Sequence, residues 1–450
     1  MTADDRRPTY WAEQTLDQSA PRAHGDLRAD VIVVGGGITG LSVADRLRTA
    51  GRSVILLEAD RCGSGATGRS SGFVTPDSEL ELSELVRRFG VPDAALLWQN
   101  ACEACASIRA DAERGASRCD LIDADSLYVA SSRRGVRAIT AEHEARQRLG
   151  FPSRLYEGEP LAGLLGGAQY RAGVRAGGTL GINGLAWAQS QKRELASHGV
   201  RIFEESRVLR FEAEAVYTPD AIVRAPAIVF CLDRFAPEIA VAARDGYHAQ
   251  ASLTVTEPLT PATLRSIFPA GPLMVWDTDL VYKYFRPTAE GRLLVGGGSL
   301  RDTYAATETP GQRTFAMLEQ YATSRFPQLR GVRFTHAWRG MIGMTRDLLP
   351  LAGRSPSTPS HYYALCAAGL AWSVLSARTA AAAVLGETTP LDAFFSPGRR
   401  FELDALPSII GKGAAWALSY YYARNVQRSP RPRPVVELEP SSPMGERRSR

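Results

Sequence analysis

Three glycines with the spacing of a phosphate-binding turn are the strongest chemical signal in the chain. They form Gly35-x-Gly37-x-x-Gly40, and Glu58 follows 23 residues after Gly35. In such a motif the first glycine makes a tight turn, the second lets the backbone approach a pyrophosphate, and the third lets helix and strand pack closely. An acid at the later position accepts hydrogen bonds from ribose hydroxyls and repels a 2′-phosphate. The spacing therefore predicts a dinucleotide site that disfavours NADP.

The elements that would position this turn can also be read from the sequence. Residues 30–38 form a continuous, β-branched apolar run, which is typical of a strand buried on both faces of a parallel sheet. A helix over 39–50 and a second buried strand over 53–57 complete a β-α-β unit, the context that the motif requires. The alternative is a glycine-rich turn that binds no ligand. Residues 61–76 are rich in Gly, Ser and Thr and predict a loop.

Further patterns predict an alternation of helices and strands. The helical patterns cover 80–118, 185–198, 311–325 and 372–385. The strand patterns cover 200–203, 206–230, 251–257, 280–286 and 292–298.

Composition excludes several classes of protein. The 450 residues are 44% hydrophobic and 22% charged, which is typical of a folded globular chain. The net charge is only +5, which argues against an extended nucleic-acid surface. No apolar run is long enough for a membrane span, and the charged start of the chain shows no secretory signal. Six cysteines are few for this length, so we expect a reduced, cytoplasmic protein without a metal site. Cys102 and Cys105 form a CxxC pair, which we interpret as packing residues rather than a redox or metal site.

Several segments resemble one family. The sequence CGSGATGRSSGFV (62–74) resembles the flavin-contacting loop of the D-amino-acid oxidase superfamily, which includes the glycine and sarcosine oxidases. The resemblance is closest to its γ-glutamylputrescine oxidoreductase-like branch, which Tyr10-Trp11 also fits. Segments 282–298, 338–353 and 362–372 match later stretches of the family. The resemblance covers about residues 8–405 and implies FAD.

The resemblance also implies the cofactor contacts. In addition to the three glycines and Glu58, it implies contacts by Ile38, Thr39, Ala59, Ala66, Thr67, Gly68, Arg69, Ser70, Ser71, Gly72, Val208, Gly340, Gly369 and Leu370. Where some relatives link flavin covalently through a cysteine, this chain has Gly340, so we expect non-covalent FAD. The last turn departs from the family, since Gly369-Leu370-Ala371 lacks the usual second glycine and Trp372 follows.

The expected fold is α/β, with a discontinuous Rossmann-like FAD-binding domain and a second domain built on an antiparallel sheet. The FAD-binding domain is predicted to comprise residues 30–85, 175–246 and 331–405, and the substrate domain residues 86–174 and 247–330. An N-terminal arm (1–29) precedes them, and a helical segment (406–427) and a disordered tail (428–450) follow.

The substrate residues follow from strand geometry and from the resemblance. Alternation along the strand puts Tyr282, Tyr284 and Arg286 on one face and Lys283 on the other. We predict that Tyr282, Tyr284, Lys283 and Arg339 contact substrate, although an aromatic pair, a solvated lysine and a structural ion pair are the alternatives. Arg346 is a further candidate.

Two positions bear on the substrate and on the electron acceptor. Glycine and D-amino-acid oxidases hold the substrate carboxylate with an arginine four residues after the tryptophan, and this chain has Ile342 there. A simple α-amino acid is therefore disfavoured. Sarcosine oxidase has an oxygen-assisting lysine near the position of Leu294, so another acceptor could replace oxygen here.

These observations predict an FAD-dependent enzyme that oxidises the C–N bond of a primary or secondary amine, or of an N-substituted amino compound, to an imine. Hydride would pass to flavin N5, and O2 would reoxidise the flavin and yield H2O2. The alternatives are a dehydrogenase that passes electrons to a quinone or protein acceptor, and a flavin-binding protein without catalysis.

Two other features have two interpretations each. His248 could act as a base or contact substrate, but such a histidine is more often structural. The apolar, aromatic segment 409–423 could touch a membrane or partner, and we favour packing on the body of the protein.

Overall fold

The computed structural model describes residues 9–15, 19–114, 118–167, 169–239, 246–305, 307, 311–399, 401 and 412–426. The predicted tail, 428–450, lies outside these residues, as do parts of the predicted arm and of the predicted C-terminal segment. Within the described ranges, two large sheets and two smaller ones form the β-structure.

The first large sheet has six strands in the part of the chain that the structure describes. Their spatial order is Arg201–Phe203, Val54–Leu57, Val31–Val34, Ala227–Phe230, His361–Leu365 and Leu351–Arg354. Neighbouring strands are parallel except for the last pair. The predicted β-α-β unit is confirmed, with its helix at Ile38–Thr49.

The continuous apolar run in the central strand is explained by packing on both faces. Val31 and Val33 belong to one buried cluster with the surrounding helices. Ile32 and Val34 belong to a second cluster, which includes Val216 of the neighbouring small sheet. Since successive side chains point to opposite faces, every position of this strand is buried.

The second large sheet is the expected antiparallel one. Its eight described strands lie in the order Phe334–Thr345, Gly246–Thr256, Leu293–Gly297, Tyr284–Pro287, Leu273–Asp277, Asp125–Ala130, Ala172–Ala176 and Arg154–Glu157. Only Leu273–Asp277 and Asp125–Ala130 pair in parallel. The combination of a parallel and an antiparallel sheet confirms the predicted fold class.

Two smaller sheets complete the described β-structure. One contains Gly25–Arg28, Ala221–Arg224, Ala215–Tyr217 and Arg210–Phe211, and the other contains Phe73–Val74, Leu180–Gly181 and Ile122–Asp123. The described α-helices are Tyr10–Glu13, Ile38–Thr49, Ala66–Arg69, Leu82–Phe89, Val91–Arg114, Arg133–Arg148, Gly158–Ala162, Gly184–Ser197, Pro261–Ile267, Leu300–Thr303, Gln312–Arg325, Leu370–Leu385, Asp392–Phe395 and Lys412–Asn425. Short 3₁₀ helices cover Arg118–Asp120, Asp233–Ile239 and Pro327–Leu329.

One strand expectation needs correction. The pattern over 280–286 predicts a strand, but the strand begins only at Tyr284. Asp277 is the reason, because its Oδ1 accepts hydrogen bonds from the backbone N–H groups of Asp279 and Lys283 at 3.1 and 3.2 Å. This side chain thus satisfies backbone groups that a strand would pair, and it stabilises a loop instead.

The predicted division into domains stays a prediction. The strands of the parallel sheet fall within the three ranges expected for FAD binding. However, Phe334–Thr345, inside the range 331–405, belongs to the eight-stranded sheet.

The structure also bears on disulfides, metal sites and membrane helices. All six cysteines are free thiols. No group of three or more His, Cys, Asp or Glu residues suited to a metal occurs in the described ranges. Among the same residues, no helix combines the length and apolar character that crossing a bilayer requires.

Candidate active site

A large cavity lies where the parallel sheet meets the antiparallel sheet. Its volume is about 710 Å³. Val34, Leu57 and Cys231, at or next to the carboxyl ends of three parallel strands, line one part of it. Tyr282 and Tyr284 line another part. A crevice at the carboxyl ends of parallel strands is where α/β sheets bind ligands.

The glycine-rich turn has the geometry that the sequence predicts. Gly35 has φ +109°, and a Cβ there would lie 2.3 Å from the Cys231 carbonyl oxygen. A Cβ on Gly40 would lie 1.8 Å from the Gly35 carbonyl oxygen. Neither position can hold a side chain, because both contacts are with backbone atoms that cannot yield.

Gly37 precedes the helix and faces the cavity. It is the N-cap of Ile38–Thr49 and has no side chain to cap this end, where Thr67 Oγ1 accepts a hydrogen bond from the Ile38 N–H at 3.0 Å. The N-terminus of a helix attracts anions through its N–H groups and its dipole. The dipole and the remaining N–H groups of this helix end therefore fit the phosphates of a dinucleotide.

Glu58 ties the second strand to this turn. Its Oε2 accepts a hydrogen bond from the Gly36 N–H at 2.6 Å, and its Oε1 accepts one from the Asp60 N–H at 2.9 Å. Burial raises the pKa of Glu58, and the two backbone hydrogen bonds partly oppose this shift. The carboxyl lines the cavity and keeps free lone pairs, so it fits ribose hydroxyls.

The loop from Arg69 to Ser71 lines the cavity and is held through its backbone carbonyls. Trp338 Nε1 donates to the Arg69 carbonyl at 3.0 Å, and Trp11 Nε1 donates to that of Ser70 at 2.8 Å. Arg286 Nε donates to the Ser71 carbonyl at 2.8 Å. Trp11 and Trp338, which both lie in segments that resemble the family, therefore hold this loop in place through its backbone.

Arg286 is buried under the loop rather than exposed to the cavity. Its guanidinium also donates to the carbonyls of Ile182 and Pro287, at 2.8 and 3.0 Å. Burial lowers its pKa to about 10. Phe285, between Tyr284 and Arg286, points to the opposite face of the strand and packs against Phe326. The predicted alternation of side chains between the two faces therefore holds in this strand.

The other predicted cofactor residues divide into two groups. Those that line the cavity are Ile38, Thr39, Ala59, Ala66, Thr67, Gly68, Val208, Gly340, Gly369 and Leu370, together with Gly35, Gly37, Glu58 and the Arg69–Ser71 loop. Gly40 and Gly72 lie behind the wall, where close packing requires glycine.

Trp372, the departure from the family pattern, does not enter the cavity. It is fully buried, and its Nε1 donates to the Pro76 carbonyl at 2.9 Å. Gly369, with φ +89°, begins the helix Leu370–Leu385. Trp372 therefore leaves this part of the wall open.

Two predicted substrate residues lie on the cavity and two do not. Tyr282 and Tyr284 line it, and their ring centroids are 5.8 Å apart. Lys283 turns away, with Nζ donating to the Val281 carbonyl at 3.0 Å. Arg339 does not line the cavity, although Gly340, Met341 and Ile342 of the same strand do, and its side chain lies beside Gly311. Arg346 is likewise not among the lining residues.

Glu79 and Tyr420 are among the residues of the cavity wall that the sequence reasoning missed. Tyr282 Oη donates to Glu79 Oε1 at 3.1 Å, and Tyr420 Oη donates to Glu79 Oε2 at 2.7 Å. Tyr420 comes from the helix Lys412–Asn425, whose Ala415, Ser419 and Tyr420 are buried. The segment 409–423 thus packs on the body, as favoured, where the structure describes it, and its Tyr420 lines the cavity.

The remaining candidates are placed as follows. Ile342 lines the cavity. Leu294 is buried among Trp11, Leu253 and Trp338. His248 lies outside the cavity, with Nε2 3.2 Å from the Ala305 carbonyl oxygen and its ring against Trp416.

A parallel sheet with this turn, this acid and this cavity defines a dinucleotide-binding protein. The model of the DAO family, described as FAD dependent oxidoreductase, matches residues 30–383. The chain therefore belongs to this family, and FAD is its cofactor. Both predictions are confirmed.

Similar proteins support this assignment. The chain is 27% identical over 400 residues to the probable oxidoreductase OrdL of Haemophilus influenzae, covering 86% of this chain and 90% of that protein. It is 27% identical over 379 residues to γ-glutamylputrescine oxidoreductase of Escherichia coli, covering 82% and 86%. The structure of glycine oxidase from Geobacillus kaustophilus matches with TM-score 0.72 at 18% identity, covering 84% of this chain and 100% of that chain. The last match shows a common fold.

Proposed function

We propose that this enzyme oxidises the C–N bond of an amine to an imine. One observation carries the proposal: the cavity that holds the dinucleotide-binding turn also holds Tyr282, Tyr284 and Glu79. A substrate bound among these side chains shares one enclosed space with the cofactor. The names of the relatives, γ-glutamylputrescine oxidoreductase and glycine oxidase, point to amino compounds as the substrate class.

The protein residues would bind, orient and desolvate the reactants. When bound, FAD supplies the two-electron acceptor for the hydride that leaves the carbon. The loop Arg69–Ser71, fixed through three carbonyls, would hold the cofactor in one position. Tyr282 and Tyr284 would exclude water from the reacting carbon and orient the substrate. Hydrolysis of the imine would then release the amine nitrogen.

Ile342 favours an amine over a simple α-amino acid. It lines the cavity and offers no charge at the position where the resemblance implies a carboxylate-binding arginine. An α-carboxylate beside this side chain would lose a bidentate partner. We expect non-covalent FAD, because Gly340 replaces the cysteine of relatives with a covalent link.

Reoxidation of the flavin by O2, with formation of H2O2, is part of the proposal. A second candidate, a dehydrogenase with a quinone or protein acceptor, is favoured by Leu294. This apolar, buried residue stands near the position where the resemblance implies an oxygen-assisting lysine. The alternative of a flavin protein without catalysis loses its main support, because Trp372 lies in the core rather than in the cavity.

The test is anaerobic mixing of the purified holoprotein with primary amines, N-methyl amines and α-amino acids. Bleaching of the oxidised-flavin band by amines, with little bleaching by α-amino acids, is the expected result. Admission of air then separates the two candidates, since an oxidase forms H2O2 and a dehydrogenase reduces a dye instead. Holoprotein whose flavin no amine reduces would contradict the proposal.

A further inference from the structure

Three carboxylates follow one another along the cavity wall. Asp77, Glu79 and Glu81 are alternate residues of one segment, and all three line the cavity. The segment immediately precedes the helix Leu82–Phe89. An acidic group of this size on the inner wall of a cavity calls for a ligand, because buried carboxylates without a counter-charge are costly.

The carboxyl oxygens are only partly satisfied by the protein. Trp276 Nε1 donates to Glu81 Oε1 at 2.9 Å, while Glu81 Oε2 is buried without a hydrogen-bond partner among the described residues. Glu81 is only 6% exposed. Asp77 Oδ2 accepts a hydrogen bond from Thr75 Oγ1 at 3.3 Å, and Asp77 Oδ1 is also buried without a partner in the described part of the chain. These oxygens can accept hydrogen bonds from a ligand.

Two arginines act on these carboxyls through their charge, Arg146 and Arg424, and Arg424 also lines the cavity. Arg424 Nε lies 3.0 Å from Glu84 Oε1, and Arg146 Nε lies 2.7 Å from Glu142 Oε1. Each arginine is thus matched by its own partner. Because Glu142 and Glu84 already pair with these two arginines, Asp77, Glu79 and Glu81 have no ion-pair partner of their own among the described residues.

Aromatic rings surround the same wall. Tyr128 stacks on Trp276 at 5.7 Å, and Phe73 meets the edges of Trp276 and Tyr284 at 6.4 and 5.7 Å. All four residues line the cavity. Aromatic faces attract organic cations and also receive aliphatic chains. Rings combined with carboxylates are the chemistry that recognises an alkylammonium group.

We propose that Asp77, Glu79 and Glu81 form a binding site for a second cationic group of the substrate, so that the enzyme selects linear diamines or polyamines. This inference rests on the proposed amine oxidation and names its substrate class. One amine would react at the flavin, and the other, protonated, would bind these carboxylates. Glu79 is central, because Tyr282 and Tyr420 fix its two oxygens and leave further lone pairs open.

The protonation of the site agrees with this assignment. Burial raises the pKa of Asp77 to about 7 and raises the pKa of Glu79 and Glu81. A bound ammonium group would favour the ionised carboxylates and offset the penalty of burial.

The test compares substrates of equal length on the holoenzyme. Anaerobic stopped-flow reduction gives the substrate Kd and the rate of flavin reduction separately. The probes are 1,4-diaminobutane and 1,5-diaminopentane, the matched monoamines butylamine and pentylamine, and 4-aminobutanoate, which carries an acid in place of the second amine. We expect each diamine to bind about 10- to 100-fold more tightly than its monoamine, the effect of a charge-assisted hydrogen bond.

The variants Glu79→Gln and Asp77→Asn separate binding from folding. Each should reduce the ratio of diamine to monoamine affinity about tenfold or more, with the main change in Kd. Glu257→Gln, a substitution at a carboxylate that pairs with the exposed Arg333, is the control and should keep the ratio.

Two results would overturn the inference while the proposed function stands. One is equal affinity for diamines and monoamines, and the other is a preference for 4-aminobutanoate. An unchanged ratio in both variants would also overturn it. Flavin that none of the amines reduces would instead contradict the proposed function itself, so the two failures are distinguishable.

Discussion

The substitution Glu58→Gln tests the cofactor site most sharply, because it keeps the shape of the side chain. The carboxylate accepts hydrogen bonds from the N–H groups of Gly36 and Asp60 at 2.6 and 2.9 Å. An amide has only one accepting oxygen, so the variant must leave one donor unmatched or lose a contact to the ribose. Loss of one charge-assisted hydrogen bond costs about 1.5–3 kcal/mol. This corresponds to FAD binding weaker by roughly 10- to 150-fold.

The assay is calorimetric titration of the apoprotein with FAD, with far-ultraviolet circular dichroism to verify the fold. Glu205→Gln is the matched control, since Glu205 is an exposed carboxylate that pairs with Arg22 and Arg61 on the surface. We expect weaker FAD binding by Glu58→Gln and normal binding by the control. An unchanged Kd in a folded Glu58→Gln variant would refute the assignment of Glu58 to the cofactor.

Further predictions concern packing and acid stability. Gly40→Ala should abolish soluble holoprotein, because its Cβ would lie 1.8 Å from the Gly35 carbonyl oxygen. The control Gly163→Ala should retain the absorbance of bound flavin, because its Cβ would lie 3.5 Å from the nearest atom, the Pro160 carbonyl oxygen. Arg399→Met should lower the free energy of unfolding by about 2–3 kcal/mol in denaturant titrations, because it removes the two hydrogen bonds of 2.8 Å that Arg399 donates to the partly buried Asp347. Unaltered stability would contradict this. Burial would raise the pKa of Asp347, but Arg399 lowers it below its ordinary value, so the pair stabilises the fold above about pH 4 and loses this effect as pH falls. The wild type should therefore lose more stability on acidification than Arg399→Met does, and equal losses would count against the pair.

The dinucleotide turn could be predicted from the sequence because its parts are local. Gly35, Gly37 and Gly40 follow one strand and begin one helix, and Glu58 ends the next strand. The register of neighbouring parallel strands then brings Glu58 to the turn. The turn, the helix start and the position of Glu58 all depend on residues close together in the sequence, so their spacing is enough to predict them.

The substrate wall could not be predicted in the same way. Glu79 and Tyr420 are 341 residues apart and meet only through tertiary packing. The alternation of Asp77, Glu79 and Glu81 directly after the glycine-rich loop was the available signal, but a solvated acidic segment has the same pattern. Lys283 lies off the cavity for a local reason: Asp277 accepts hydrogen bonds from backbone N–H groups of this loop, so the strand begins only at Tyr284.

The most direct test of the central claim is an anaerobic spectral titration of the FAD-loaded protein with amines. We expect amines to bleach the oxidised flavin, and the matching imine or its hydrolysis product to appear in proportion to the flavin reduced. Bound FAD that stays oxidised with every amine, or that only simple α-amino acids reduce, would contradict the account.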